Sequence, residues 1–442
     1  MKHFSFLTAV VLFIASVQAS VPVSLDQLIE KGLQHNYQIR IARNEQQLSD
    51  NNATPGNAGM LPTLDVNGTF GGTEYNNAQY PADGSAATKT SGVSNSNLSA
   101  AVNLNWTLFD GFNIQATYSK LKELQQAGAL QTRMDIESYL ADLSAAYYDL
   151  VQQTIRISNL KSAVRLSKER LRIVEARYNI GNLSRLDLQQ ARVDFNTDSS
   201  RLIRQQEVLH TVKVRLHQLV ADEEVERAIE PADTFITVET MLLNKEMLWS
   251  EVLQHNTYLQ LAEKEKNIKA FELQSARSSN YPYLRLNAGY GYFENRYEYG
   301  QNKRQNNLGL NYGLTLGYNI FDGFNRSRRQ KNARLQLTNQ ELMEEQLHLS
   351  LKSDFSNLWM AYNNNLGLKA LEQENLSHAR ENYAIAIERY KLGELSGIEL
   401  REAQNSLLDA GERLVQAAYT TKLCEISLLE ISGGLLKHIA SN

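Results

Sequence analysis

Leu108-Phe109-Asp110-Gly111-Phe112-Asn113 returns 212 residues later as Ile320-Phe321-Asp322-Gly323-Phe324-Asn325. The same offset relates RYNIGNLSRLDL at 177–188 to RYKLGELSGIEL at 389–400. Upstream the offset is 220: Leu33-Gln34-His35-Asn36 matches Leu253-Gln254-His255-Asn256, and Pro62-x-Leu64-x-Val66-Asn67 matches Pro282-x-Leu284-x-Leu286-Asn287. The chain is therefore two copies of one unit, 20–240 and 241–442, and the change of offset places one shorter connection between the Pro-Leu and Phe-Asp-Gly motifs. A connection that varies while its flanks do not is a surface loop. The content of 73–97, rich in Asn, Ser, Ala and Gly, and of 294–307, polar and charged, agrees.

The segments beside each loop alternate with the two-residue period of a strand. Leu308, Leu310, Tyr312, Leu314, Leu316, Tyr318 and Ile320 oppose Gly309, Asn311, Gly313, Thr315, Gly317 and Asn319. Val102, Leu104, Trp106 and Leu108 oppose Asn103, Asn105 and Thr107 in the same way. The pattern predicts strands at about 63–72, 98–109, 283–293 and 308–321. One apolar face against one face of small and polar residues fits ~9–11-residue strands between lipid and a wet lumen. A soluble sandwich with one buried face is the alternative. Phe70, Trp106, Tyr290, Tyr292 and Tyr318, toward the strand ends, are candidates for interfacial girdles and favour the membrane.

Four strands cannot close a barrel, and an open edge in lipid leaves backbone groups unsatisfied at several kcal/mol each. The chain must pool strands with copies of itself. Two copies would give eight strands around a filled interior, and three would give twelve. Inward Gly, Asn and Thr favour the wider assembly.

After each strand pair the chain is free of proline, over 113–230 and 325–442. Apolar residues step by three and four through Ile136, Leu140, Leu143, Tyr147, Leu150, Ile157, Leu160, Val164, Leu171, Val174 and Tyr178, a heptad seam with one stammer. Ser24 and Gln27 form a candidate capping box for the first helix, whose counterpart is Val252–Ala276. Thr54-Pro55-Gly56 should end or kink the first helix, since the second copy has Gln274-Ser275-Ala276 there. Gly181 and Gly393 read as left-handed caps of long helices that restart at Ser184 and, by the repeat, Ser396. The fold class is mainly α with a small β portion, a duplicated helix-strand-strand-helix-helix unit.

Residues 1–19 read as a secretory signal, with Lys2, an apolar core from Phe4 to Val17, and Val17-Gln18-Ala19 before the cut; the core is short for a spanning anchor. Loss of Lys2 leaves 44 basic residues against 49 acidic ones, a net charge of −5, which argues against a nucleic-acid partner. The single cysteine, Cys424, allows no disulfide within the chain and stands far from any lipidation position. No HExxH, GxSxG, Walker or Rossmann motif is present, so neither an enzyme, a cofactor nor a metal is expected. His210 and His217, seven apart, read as a solvated stripe.

Duplicated strand pairs, the Phe-Asp-Gly motif and the R-Y-x-x-G-x-L-S hairpin together resemble the TolC-like outer-membrane efflux family over essentially the whole mature chain. The resemblance implies a homotrimer: a 12-stranded outer-membrane β-barrel continuous with a periplasmic α-helical barrel. It would be a passive exit duct served by a periplasmic adaptor and an inner-membrane pump of RND or ABC type. It implies docking through the tips, at Arg177, Tyr178, Gly181, Leu183, Ser184, Gly393, Leu395 and Ser396. It implies a periplasmic gate at Glu399, Glu402 and Asp187, whose rings of carboxylates would select cations. Where the prototype has an Arg to hold Asp187, this chain has Leu395, so Arg185, Arg389 and Tyr390 are the candidate substitutes. A structural or adhesive outer-membrane coiled-coil trimer is the competing class, against which the duplication counts, because a stalk needs no second strand pair.

Overall fold

The structure is a computed structural model that describes residues 22–238 and 244–436. The signal segment 1–19 and the repeat junction at 240–241 lie outside the described residues. The first copy runs β1 (Pro22–Val23), α1 (Leu25–His35), α2 (Tyr37–Asn52), β2 (Thr63–Gln79), β3 (Thr88–Phe109), α3 (Asn113–Asn179) and α4 (Arg185–Leu219). β4 (Glu230–Pro231) follows α4 within the bounds of the first copy, and the second copy runs α5 (Lys245–His255), α6 (Thr257–Ser278), β5 (Tyr283–Tyr297), β6 (Arg304–Gly317), α7 (Asn325–Leu392) and α8 (Gly397–Ile431). Compactness does not follow the repeats. One unit combines the chain up to Ala42 with Arg133–Asn256 and Ser350 onward, and the other combines Arg43–Thr132 with Thr257–Leu349. Each draws on both copies.

In the second unit four strands form one antiparallel sheet in the order β2-β3-β5-β6. The register aligns the apolar residues across it: Val66, Val102, Tyr290 and Leu310 stand in one rank, and Leu64, Leu104, Ala288 and Tyr312 in the next. This face is uncovered, with Val66, Phe70, Tyr312 and Leu316 each more than 70% exposed, which excludes the core of a soluble sandwich. The apolar run on β6, Leu308 to Leu316, spans nine residues, the length that crosses a hydrocarbon layer when tilted.

The other face carries amides. Asn287 donates to Asn105 (2.7 Å), and Asn105 to Asp65 (3.4 Å). Gly289 stands between Asn103 and Asn311, whose Oδ1 atoms would lie 2.7 and 2.4 Å from any Cβ there, so its missing side chain leaves room for both amides.

The strand ends differ from the pattern reading. β2 and β3 continue to Gln79 and from Thr88, well into the segment expected as loop, because small polar residues pair as readily as apolar ones once the register is set. β6 stops at Gly317 and not 321, where the chain begins its passage to α7. Tyr290 is the central residue of β5 and Phe70 stands next to the centre of β2, so neither lies toward a strand end. Tyr292 is half-buried, its hydroxyl donating to Glu294 (2.6 Å) where the band turns polar.

The quoted hexapeptides build the strand-to-helix passage. Gly111 and Gly323 adopt φ of 72° and 67°, but the left-handed stretch is two residues long: Phe112 and Phe324 follow at 70° and 64°. A non-glycine residue there costs about 1–2 kcal/mol. Each Phe folds back edge-on against the Phe three residues before it, with ring centroids 5.1 Å apart for Phe109–Phe112 and 5.3 Å for Phe321–Phe324. The intervening Asp accepts from the first turn of the long helix: Ile114 N donates to Asp110 (3.1 Å) and Arg326 N to Asp322 (2.8 Å).

In the helical unit the seam is the core: Leu140, Leu143, Tyr147, Leu150 and Leu216 are at most 1% exposed. The expected Ser24–Gln27 capping box is present. Each copy's first helix is broken once, at Asn36 or Asn256, where a single helix over Val252–Ala276 was expected. The buried amides explain the break. Asn36 Nδ2 donates to Leu219 O and Asn256 Nδ2 to Ile431 O, both at 2.9 Å, so each Asn satisfies a carbonyl at the end of α4 or α8. α2 then ends at Asn52, before the Thr54-Pro55-Gly56 turn, while α6 continues to Ser278. His217 is not on a solvated stripe: it is 3% exposed, its Nε2 3.0 Å from Arg227 O.

The two passages predict unequal tolerance. A Cβ on Gly111 would lie 2.3 Å from Ser278 O, whereas on Gly323 it would meet only Asn325 Nδ2 at 3.6 Å. Gly323→Ala should cost about 1–2 kcal/mol from backbone conformation alone. Gly111→Ala should cost several kcal/mol more, read as a much larger fall in the thermal transition of the detergent-extracted protein.

Candidate gate and docking site at the hairpin tips

Two helical hairpins, α3–α4 and α7–α8, end in the same turn. Asn182 N donates to Arg177 O (2.9 Å) and Gly181 N to Tyr178 O (2.9 Å); Glu394 N and Gly393 N repeat this to Arg389 O (3.0 Å) and Tyr390 O (3.1 Å). Gly181 and Gly393 hold the left-handed residue, at φ 79° and 85°. Ser184 and Ser396 then cap α4 and α8 in full capping boxes. Apolar packing of Val174, Leu188, Ala191, Ala386, Tyr390, Leu400 and Ala403 joins the hairpins, with Leu183 and Leu395 tucked against it.

The residues expected at the gate do not form one cluster. Asp187 and Glu399 are the acidic partners of the capping boxes: Ser184 and Ser396 each donate a hydroxyl at 2.7 Å to them, and their N–H groups donate at 3.1 and 2.9 Å. The Ser396 hydroxyl, then its backbone N–H, hold the Glu399 carboxyl below the ordinary value, so it stays ionised at neutral pH. Glu402 is exposed, one turn further along α8. Among the described residues none of the substitutes reaches Asp187 by hydrogen bond or ion pair. Arg389 lies 3.7 Å from Glu394, Arg185 is exposed, and Tyr390 is 3% exposed with its phenol pushed up by burial.

The residues expected at the docking face also divide. Arg177 is engaged within the protomer. Its guanidinium donates to Tyr390 O (3.1 Å) and Lys391 O (2.9 Å) at the negative end of α7 and lies over the Tyr390 ring at 5.2 Å. The exposed apolar groups are instead Ile180 and Leu392, 70% and 75%, and Leu186 and Ile398, 77% and 79%. Each pair is related by the 212-residue offset, a signal already present in the aligned dodecapeptides. Tyr178 is partly exposed beside them.

Deeper between the hairpins lies a charge network that repeat comparison missed. Asp198, 0% exposed, receives both terminal nitrogens of Arg401 at 2.7 and 2.9 Å, and the Ser167 hydroxyl donates to the same carboxylate. Arg170 pairs with Asp194, Gln190 donates to Asp194 at 3.1 Å, and Gln404 donates to Ser167 at 3.1 Å. The matching positions in the other copy are Ser406, Ala410 and Gln189, so the network is unsymmetrical and self-comparison gives no trace of it. Burial would raise the Asp198 carboxyl, but hydrogen bonds from Arg401 and Ser167, with the charges of Arg401 and Arg201, outweigh it and hold it low.

Chemically the tips offer carboxylates, guanidinia and apolar side chains, with no activated nucleophile. Among the described residues no cluster of three His, Cys, Asp or Glu could hold a metal, and no helix is long and apolar enough to cross a membrane. Both copies match the family described as outer membrane efflux protein, over residues 28–222 and 248–434. The chain belongs to the outer membrane efflux protein family. Members of this family are channels and not enzymes, and this one is an outer-membrane protein.

Its relatives in the family include the outer membrane protein TolC of Salmonella enteritidis, 21% identical over 392 residues, covering 85% of this chain and 75% of that one. The pyoverdine export outer membrane protein OpmQ of Pseudomonas aeruginosa is 22% identical over 420 residues, covering 93% and 85%. The fold matches the Campylobacter jejuni CmeC outer membrane channel with a TM-score of 0.80 at 16% identity, over 94% of this chain and 88% of that one. The outer membrane protein VceC from Vibrio cholerae matches with a TM-score of 0.77 at 17% identity, over 93% and 96%.

Removing one partner of a buried ion pair costs roughly 3–5 kcal/mol. Arg401→Ala should accordingly loosen the α3–α4 and α7–α8 packing, seen as faster amide exchange over 163–200 and 397–410. Because the folded Asp198 value is depressed, its stabilisation is complete above the unfolded carboxylate value of about 3.9 and is lost as pH falls through the lower folded value. Asp198→Asn should abolish that acid-side loss of protection.

Proposed function

We propose that three copies of this chain form a passive outer-membrane exit duct. Each gives four strands to a twelve-stranded barrel and two helical hairpins to a periplasmic tunnel. The observation that carries the reading is the four-stranded sheet with an uncovered apolar face and two open edges, β2 and β6. Such a sheet is stable in lipid only when its edges meet strands of other copies. The amide-lined opposite face, with Gly289, Gly309 and Gly313 among Asn residues, suits a wet lumen wider than eight strands would enclose.

The tips are the proposed docking end for a periplasmic adaptor that joins an inner-membrane pump of RND or ABC type. The apolar pairs Ile180–Leu392 and Leu186–Ile398 supply the contact surface. Energy comes from the pump, and the duct contributes passage and gating. At the gate, three copies of Glu399 and Glu402 would form acidic rings, with Asp187 as the matching carboxylate of the first hairpin.

Purified protein in planar bilayers should conduct in cation-selective steps. Glu399→Gln with Glu402→Gln should reduce both cation selectivity and block by polycations. A protein without conductance would be an anchor or stalk and not a duct, and selectivity unchanged in the double variant would remove these carboxylates from the gate.

A further inference from the structure

We infer that the first turns of α7 form a binding collar for the phosphate headgroups of anionic phospholipids in the inner leaflet of the outer membrane. The segment Asn325-Arg326-Ser327-Arg328-Arg329-Gln330-Lys331-Asn332-Ala333-Arg334 carries five cations and no carboxylate. Arg326 is part of the passage: it donates to Ser279 O (3.2 Å) and Ile320 O (3.0 Å) and lies over the Tyr318 ring at 5.8 Å. Arg328, Arg329, Lys331 and Arg334 are exposed. The nearby Asp322 is shared between Arg326 and Arg329, and among the described residues neither Lys331 nor Arg334 has an ion-pair partner. Arg328, Lys331 and Arg334, spaced by three, lie within one third of the helix circumference.

Three observations separate this cluster from an ordinary solvated helix face. Its position works against the helix, because cations in the first turns oppose the positive end of the macrodipole. The fold does not require it: the matching positions of the first copy are Ile114, Ala116, Thr117, Ser119 and Lys122, and that passage forms the same Phe–Phe contact and Asp cap. It is also continuous with apolar surface. Directly before it stand Tyr318, Ile320, Phe321 and Phe324, exposed by 53%, 83%, 68% and 76%, and these continue from the apolar face of β6.

An apolar and aromatic belt followed within about 15 Å of helix by unpaired cations matches the profile of a leaflet, acyl chains first and phosphates next. Arginine suits this role because its fork binds phosphate oxygens in pairs.

The test is native mass spectrometry of the full-length complex, delipidated in neutral detergent and titrated with phosphatidylglycerol or phosphatidylethanolamine of matched chains. The wild type should retain phosphatidylglycerol at roughly tenfold lower concentration than phosphatidylethanolamine, with the preference shrinking at high salt. R328Q/K331Q/R334Q should lose the preference and keep its conductance and ion selectivity, while R328K/R334K should retain most of it. A wild type that binds both lipids alike overturns the proposal, with no variant required. It is equally overturned if the triple variant keeps the lipid preference but shifts ion selectivity, since the cations would then line the lumen. Because the readout is lipid preference and not export, failure of the collar leaves the duct reading standing.

Discussion

Among the described residues, the backbone groups along the outer sides of β2 and β6 have no partners, and the apolar ranks between them have nothing to cover them. In water the sheet would aggregate through its face and its edges. In lipid the face is satisfied, but the edges are not, since hydrocarbon offers neither donor nor acceptor. Every other feature is compatible with one resolution, in which β6 of one copy pairs with β2 of the next until the ring closes. The long helices would inherit that symmetry. Their exposed apolar residues, among them Leu335, Leu342 and Leu349 at seven-residue intervals on α7, are then faces awaiting neighbouring helices and not defects.

Within the protomer, two devices make a strand pair continue into a helical hairpin, and both occur twice. The Phe-Asp-Gly-Phe passage holds two consecutive residues in left-handed backbone, stabilised by an edge-on ring contact and an Asp that caps the helix. The buried Asn at 36 and 256 breaks the first helix of each copy and ties it to the end of the last. Where the copies diverge, function is the reading that fits: the ionic network around Asp198 pins one hairpin to the other, and the five cations opening α7 stand where the first copy keeps a single one, Lys122, among apolar and hydroxyl residues.

Most of the fold was legible because it is written in periodicities. Alternation on β6 gave the apolar face, the heptad steps through Leu140 and Tyr147 gave the core of α3, and Gly181 and Gly393 gave the turns. Strand length was read short, since Asn, Ser and Thr in 88–97 pair in the ladder without any apolar signal. The break at Asn36 was missed because an Asn inside a helical pattern looks like a surface residue until the carbonyl it serves is known. The candidate site was legible only in its turns and caps. Asp187 and Glu399 were pointed to by the family resemblance alone, their bonds to Ser184 and Ser396 are local, and the charges that join the hairpins, Asp198 and Arg401, are 203 residues apart. A pairing over that distance leaves no pattern in one sequence.

The central claim is that the open edges close by pooling strands from three copies. Native mass spectrometry of the complex extracted from outer membranes, combined with amide exchange of the same sample, tests it directly. The account predicts a species of three chains in which the amides along the outer sides of β2 and β6 exchange as slowly as those of β3 and β5. A one- or two-chain species, or edge strands that exchange at the rate of exposed backbone, would contradict it.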